Sequence, residues 1–382
     1  MSAVGTGDGS VSCRIDSVEV HAFELPTDGP DGKEEDGTLE WDSTTMVLVR
    51  VHAGGRTGLG YTYGDVSVAS FIESELADVV RGRSAASPAA LWELMGRQIR
   101  NAGRPGAGAM AVSAVDVALW DLKARLLELP LISLLPSWHD RVPVYGSGGF
   151  TNYSLDRLTD QLGGWVEQGI PRVKLKTSRD PESDPQRLAA VRKAIGDGPE
   201  IFTDANGALS RKQALYWAHR FHEEWDVRWF EEPVSSADLE GLRMLSERGP
   251  ERLEITAGEY AYTTQDFMNL VQGRAVDCLQ ADVTRCGGIT GLLETAGLSA
   301  AHHLDLSAHC APALSAHAFC AVRRLRHLEY FHDHVRFESL LFDGTLSPDG
   351  GALRPDLSRP GLGLEIKWPD AERHRVYGTP PT

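Results

Sequence analysis

Hydrophobic positions recur along this chain in two rhythms. Over residues 14–64 they alternate with polar ones or run in short apolar stretches, at 17–24, 45–52 and 58–63, with Gly54-Gly55 as a turn before the last. That pattern predicts extended segments joined by turns. Three helical patterns follow. Residues 66–80 put Phe71, Ile72, Leu76, Val79 and Val80 on one face, 88–100 make the second, and 110–127 are apolar on most sides and therefore predicted to be buried. Leu129-Pro130 ends the third, because the residue before a proline avoids the helical region.

From Arg141 the rhythm changes to short apolar runs at 142–148, 172–177, 200–206, 228–233, 253–259, 277–283, 304–309 and 327–332. Amphipathic helical patterns separate them, for example 154–169, 184–195 and 211–223. Strand and helix alternating roughly every 25 residues mean parallel βαβ units, an α/β fold. Eight runs predict a closed barrel in preference to an open sheet, since no G-x-G-x-x-G opens the first helix. The organisation read from these patterns is a disordered lead-in over 1–13, an α+β domain over 14–135 and a barrel over 136–334. The Gly/Pro-rich remainder, 335–382, is expected to wrap back over the first domain.

Residues 26–45 interrupt the first domain with Asp28, Asp31, Glu34, Glu35, Asp36, Glu40 and Asp42 against the single Lys33. Such a segment has little to bury and is expected to be a mobile surface loop.

Composition narrows the function. A formal net charge of −16 over 382 residues leaves no excess of Lys and Arg to neutralise phosphates, which argues against nucleic acid and anionic membranes. No apolar run approaches the ~18 residues that span a bilayer. Met1–Ser12 lacks the basic-then-apolar pattern of an export signal. Cys13, Cys278, Cys286, Cys310 and Cys320 are scattered, with no C-x-x-C, so neither a disulfide framework nor a zinc site is expected, and the cytoplasm is the expected location.

The chemistry lies at the ends of the apolar runs. In a parallel barrel the active site forms at the C-terminal ends of the strands. There the sequence places Lys174 and Lys176, Asp204 and Asn206, Glu231 and Glu232, Glu259, Asp282, His309, and Glu329. A single buried carboxylate is usually a structural hydrogen-bond partner. Seven successive strands with titratable residues at the same end need another explanation, because each buried charge costs several kcal/mol unless paired or bound to metal. Asp204, Glu231 and Glu259 come from adjacent strands, and three hard oxygen donors without Cys or His fit Mg²⁺ better than zinc. Asn206 is a candidate partner behind the ligands. Glu232, facing away from Glu231, is expected to make a structural ion pair.

Lys174 and Lys176 project to one side of their strand, and mutual repulsion together with a nearby cation is expected to lower an ammonium pKa toward the range of a general base. Asp282 can orient His309, which then serves as a second base or acid. Glu329, if protonated, can donate to a carboxylate oxygen gaining charge. Arg285 is either a substrate contact or an ion-pair partner. Trp41, Tyr61 and Tyr63 can stack on a sugar face or a cation.

With these residues placed, the chain resembles the enolase superfamily in its mandelate-racemase-like subgroup. The resemblance rests on Lys174-x-Lys176, the Asp204/Glu231/Glu259 set, the Asp282/His309 dyad, Glu329, and the helix Ala114-Val115-Asp116-Val117-Ala118-Leu119-Trp120-Asp121 leading to Leu129-Pro130. It covers roughly residues 14–370 with motif order and spacing kept. It implies a modified TIM barrel, (β/α)₇β, capped by the α+β domain whose loops select substrate. It also implies Mg²⁺ stabilisation of an enediolate, Lys176 and His309 as bases on opposite faces, and Lys174 beside the substrate carboxylate. The implied substrate is a small-molecule carboxylate, the reaction dehydration of an acid sugar or racemisation, and the assembly a homo-oligomer. A barrel that keeps its metal site without catalysis is the reading from a different class.

Overall fold

The computed structural model describes residues 13–379, so the predicted lead-in lies almost wholly outside the described residues. Strands β1 (Ile15–Pro26), β2 (Ser43–Ala53) and β3 (Arg56–Tyr63) form an antiparallel sheet. The predicted helix over 66–80 spans 67–80, with a π-helical turn at Ile72–Leu76. Helix α1 (Ala107–Leu126) lies against the sheet and is buried along most of its length, as its nearly all-round apolarity requires. Gly58 and Gly60 permit this approach, since a Cβ on either would collide with backbone atoms of α1.

The eight predicted runs are eight strands: β4 (Val142–Gly148), β5 (Arg172–Lys176), β6 (Glu200–Asp204), β7 (Val227–Glu231), β8 (Glu254–Ala257), β9 (Cys278–Ala281), β10 (Asp305–Ala308) and β11 (Leu325–Phe331). Each pairs in parallel with the next, and β11 returns to β4 through Leu328↔Val144 and Glu329↔Tyr145, closing the barrel. The chain then crosses back: Ala352–Leu353 pairs antiparallel with β4, and β12 (Arg375–Tyr377) adds to β1 at the edge of the first sheet.

Alternation along the strands sorts the side chains. Val173, Leu175, Ile201, Phe230, Ile255, Leu279 and Leu306 are buried in the main core of strands and helices. Inside the barrel, Tyr145, Phe202, Trp229 and Cys278 form a separate apolar plug, with Phe202 stacked on Trp229 at 5.3 Å between centroids. Two residues further along these strands come Ser147, Asp204, Glu231 and Gln280, so the polar layer stands directly above the plug. Lys174 Nζ lies 5.4 Å from the centre of the Tyr145 ring, on the boundary between the two layers.

Helix α1 also fixes the cap to the barrel. Ser113 Oγ accepts the N–H groups of Gly287 and Gly288, and Asp116 accepts from both the N–H (2.9 Å) and the hydroxyl (2.6 Å) of Thr290. These side chains satisfy the unpaired donors that open helix α2 (Gly288–Ala301).

The acidic segment 26–45 is not the solvated loop expected of it. It carries a short hairpin, Glu34–Glu35 against Glu40–Trp41, that folds down onto the barrel. Glu34 is fully buried and Asp36 nearly so. Groups distant in sequence hold it there: Arg157 pairs with Asp28 (2.9 Å), Thr151 Oγ1 donates to Glu35 (2.6 Å), Asn152 donates to the Lys33 carbonyl (3.0 Å), and Arg336 donates to the Pro26 carbonyl (2.8 Å). Burial, and after it the adjoining Asp333 carboxyl, push Glu34 up to about 10, so it is a neutral acid at pH 7.

Candidate active site

Asp204 ends β6, Glu231 ends β7, and Glu259 follows β8, and one oxygen from each lies within 4.8 Å of the others. All three are buried. Glu231 Oε1 has no hydrogen-bond partner, and burial, then the charge of Asp204, push the Glu231 carboxyl up to about 7 despite Lys174 alongside. Three converging buried carboxylates with an orphaned oxygen are the donor set of a hard divalent cation, and these residues fit one.

Cationic side chains stand at both flanks of this set. On one side Lys176 Nζ lies 2.6 Å from Asp204 Oδ2, while Lys174 Nζ lies 2.7 Å from both Glu231 Oε2 and Glu329 Oε1. On the other, His309 Nε2 lies 2.9 Å from Glu259 Oε2, and its Nδ1 lies 2.7 Å from Asp282 Oδ2. Asp282 is itself fixed by the N–H and hydroxyl of Thr284, both at 2.7 Å. The dyad expected from the sequence is thus present, with one imidazole nitrogen committed to Asp282 and the other turned to the carboxylate set.

The protonation pattern differs from expectation at two places. Burial and the neighbouring Lys174 push Lys176 down, but Asp204 outweighs them and its pKa stands above the ordinary lysine value. Lys174 is raised in the same way, burial being outweighed by Glu231 and Glu329. The lowering expected from mutual repulsion together with a nearby cation is therefore absent while the carboxylates face the amines. Glu329 is held ionised: burial raises its pKa, but Lys174 and His309 bring it well below the usual carboxylate value, and Ser147 Oγ donates to it at 2.6 Å. It is not the protonated donor anticipated; it is an anion that fixes Lys174.

Glu232 does not make the structural ion pair expected of it. The residue takes φ 38°, which breaks the strand alternation, and no cation pairs with it among the described residues. Burial, then the charges of Glu259, Asp204 and Glu231, hold its carboxyl well above the usual range, and it stands as a fourth acid beside the set. Asn206 also has a left-handed backbone, and its N–H donates to Asp204 Oδ1 at 2.9 Å. Arg285 lies 3.4 Å from Asp282 and 3.7 Å from Glu259 and so makes the ion-pair contacts. Tyr61 is fully buried, its hydroxyl donating to Glu338 at 2.6 Å, and it is closed to substrate. Trp41 does reach a cavity of about 370 Å³ between the hairpin and the strand ends, together with Tyr63 and Arg285.

Cys310 went unnoticed among the scattered cysteines. Its Sγ lies 3.4 Å from His309 Nε2 and 3.3 Å from Glu329 Oε2, and its backbone takes φ 51°. Adjacency to the histidine at the end of a strand was the available signal.

A closed parallel barrel with buried carboxylates and amines at the C-terminal strand ends defines a class of metal-assisted acid–base enzyme folds. Comparison with known proteins makes the class specific. Residues 157–371 match the enolase C-terminal domain-like family and residues 38–136 the N-terminal domain of mandelate racemase / muconate lactonizing enzyme. The chain belongs to the enolase superfamily, in its mandelate-racemase-like subgroup. It is 32% identical to a 3,6-anhydro-alpha-L-galactonate cycloisomerase of Streptomyces coelicolor, across 85% of this chain and 89% of that protein. A mandelate racemase/muconate lactonizing enzyme-like protein from Rubrobacter xylanophilus superposes with a TM-score of 0.93 at 61% identity, covering 95% of this chain and all of that one. The L-talarate/galactarate dehydratase of Salmonella typhimurium, solved with Mg and L-lyxarohydroxamate, gives 0.87 at 26% identity, covering 100% and 98%.

Proposed function

We propose that this chain is a Mg²⁺-dependent enzyme that removes the proton α to a carboxylate and dehydrates an acid sugar to a 2-keto-3-deoxy acid. The observation that carries the reading is the pair of flanks: a lysine at the Asp204 end of the carboxylate set and an Asp-anchored histidine at the Glu259 end. The relatives named as acid-sugar dehydratases and the homologues solved with magnesium support it. A cation held by Asp204, Glu231 and Glu259 supplies Lewis-acid stabilisation of the charge that develops on the substrate carboxylate.

The chain's own residues do the proton work. A cation held by Asp204 and Glu231 would offset the carboxylate that raises Lys176 most, leaving desolvation and the ammonium of Lys174 to bring Lys176 toward a useful base. Lys174, fixed by Glu329, sets positive charge beside the substrate carboxylate. Lys176 takes the C2 proton. His309, oriented by Asp282, gives a proton to the departing C3 hydroxyl, which leaves as water. The enol that remains takes a proton at C3 and releases the proton of its C2 hydroxyl, becoming the keto acid; the proton gained by Lys176 matches the one given by His309, so atoms and charge balance.

The same two flanks favour a second reading, in which Lys176 and His309 exchange protons at one carbon and the product is the epimer. Incubating acid sugars with enzyme and Mg²⁺ in D₂O separates the two. Keto acid formation establishes dehydration; deuterium entering C2 without keto acid establishes racemisation; neither, across an acid-sugar library, leaves a non-catalytic barrel. With 38 Lys and Arg against 54 Asp and Glu the chain has no basic excess to hold nucleic acid, a small-molecule carboxylate is the proposed partner, and a cytoplasmic homo-oligomer completes the proposal. No helix among the described residues is long and apolar enough to cross a membrane.

A further inference from the structure

We propose that the acid accepted here is a monocarboxylate with a neutral far end, a polyhydroxy acid of the aldonate type, and that the matching dicarboxylate is rejected. The inference rests on the proposed function and concerns the end of the substrate remote from the reacting carbon.

That end faces the cavity of about 370 Å³ between the hairpin and the barrel, the small end of the range for ligand sites. It adjoins the chemistry, because Arg285 both lines it and contacts Asp282 and Glu259. A second carboxylate entering this space needs a counter-cation. The charged residues lining it are Asp65, Asp333 and Arg285. Arg285 is already committed, lying 3.4 Å from Asp282 and 3.7 Å from Glu259 with its guanidinium over the Tyr260 ring. His334 is not a cation either. Its Nδ1 accepts the Ala311 N–H at 3.2 Å, its ring stacks on Tyr63 at 3.5 Å, and burial pushes it down to about 3.

Behind Asp333 the cations are already matched by carboxylates. Oxygens of Asp28, Glu34 and Asp333 and a nitrogen of His332 lie within 4.8 Å of one another. Arg157 lies 2.9 Å from Asp28, and Arg336 lies 3.5 Å from Asp333 and 3.8 Å from Asp28 while donating to the Pro26 carbonyl, so neither is free for a further anion. Arg179, at the rim, faces Glu35 at 3.6 Å. A substrate dianion would therefore set its second charge beside Asp333 with every nearby guanidinium already facing a carboxylate, losing hydration without a partner.

A neutral polyol end meets the opposite situation. Ser43, Thr44 and Thr45 put three consecutive hydroxyl residues along the wall, and His334, its proton on Nε2, is a neutral donor. Trp41, Tyr63 and Phe331 add apolar faces suited to the C–H side of a sugar chain.

The test is equilibrium binding of configuration-matched hexonate and hexarate pairs to Mg²⁺-loaded Lys176→Ala protein, followed by calorimetry so that no turnover intervenes. The best-bound hexonate is expected to exceed its hexarate by about 100-fold, the scale of an unpaired like-charge contact. Ser43→Arg, which adds a cation at the wall, is expected to narrow that ratio at least about tenfold by improving the hexarate. A hexarate bound as tightly as its hexonate, or no acid bound at all, overturns the proposal. Selective hexonate binding without turnover by the unaltered enzyme overturns the dehydratase reading alone.

Discussion

Lys176 Nζ lies 2.6 Å from Asp204 Oδ2, so the amine placed to act as base shares an oxygen with the first of the three metal-type carboxylates. A cation on Asp204 is expected to weaken its hold on Lys176, which would tie the availability of the base to occupation of the metal site.

Metal removal is the first consequence. Titration with Mg²⁺ is expected to raise Tm, because a ligand that binds only the folded chain stabilises it by about 2.7 kcal/mol at 100 times Kd. Asp204→Asn or Glu231→Gln is expected to abolish that increment, read by thermal unfolding with and without EDTA. An undiminished shift in either variant contradicts the ligand assignment.

Removing a base leaves the other intact. Lys176→Ala and His309→Asn are each expected to lower kcat by about 10²–10⁴, the usual contribution of a positioned acid or base. The two variants should differ in D₂O: exchange of the C2 proton is expected to survive His309→Asn and to be lost in Lys176→Ala. Proton NMR of recovered substrate checks this.

Asp282 acts through His309. Replacing it with Asn removes one anion that holds the imidazole protonated and leaves a neutral amide in place of the charged acceptor at Nδ1. The expected result is a pH–kcat profile whose histidine-dependent limb moves to lower pH, with KM little changed. A uniform fall in kcat without a change in profile marks a purely structural role.

The docked hairpin has its own test at Gly37. A Cβ there would collide with the Ala205 carbonyl oxygen just past β6, so Gly37→Ala must lift the hairpin from the barrel. KM for the preferred acid is expected to rise about tenfold or more, with global stability nearly unchanged since the hairpin is peripheral to the main cores. Steady-state kinetics beside urea unfolding separates the two effects.

Two buried histidines each withdraw a share of stability as the pH falls, against buried carboxyls such as Glu338, raised to about 8, that act in the opposite sense. Burial pushes His317 down to about 4 and His334 down to about 3, so both are neutral in the folded chain. Between those values and the unfolded pKa of about 6.5 the unfolded state binds more protons, so stability is lost as pH falls through that window. Each contributes a slope of up to about 1.4 kcal/mol per pH unit, and His317→Gln is expected to remove one share of it. Urea midpoints at pH 7.5 and pH 5 measure the difference.

The barrel and its reactive layer were legible because each strand carries its own periodicity. Phe202 precedes Asp204 by two residues, Trp229 precedes Glu231, and Tyr145 precedes Ser147, so the sequence already holds the order of plug and polar layer. What it concealed were partners distant in the chain. Tyr61 looked available for stacking, yet its hydroxyl belongs to Glu338, 277 positions away. The acids of 26–45 looked solvated because Arg157, Thr151, Asn152 and Arg336 lie far along the sequence. Glu232 was misassigned for a local reason: alternation holds only while φ stays extended, and here it turns positive.

The most direct test of the central claim is proton NMR of a turned-over acid sugar in D₂O with Mg²⁺, comparing the unaltered enzyme, Lys176→Ala, and enzyme stripped with EDTA. Loss of the C2 proton with keto acid formation in the first alone is the predicted result. C2 proton loss that persists without Lys176 or without metal would contradict the coupling of base and cation at Asp204.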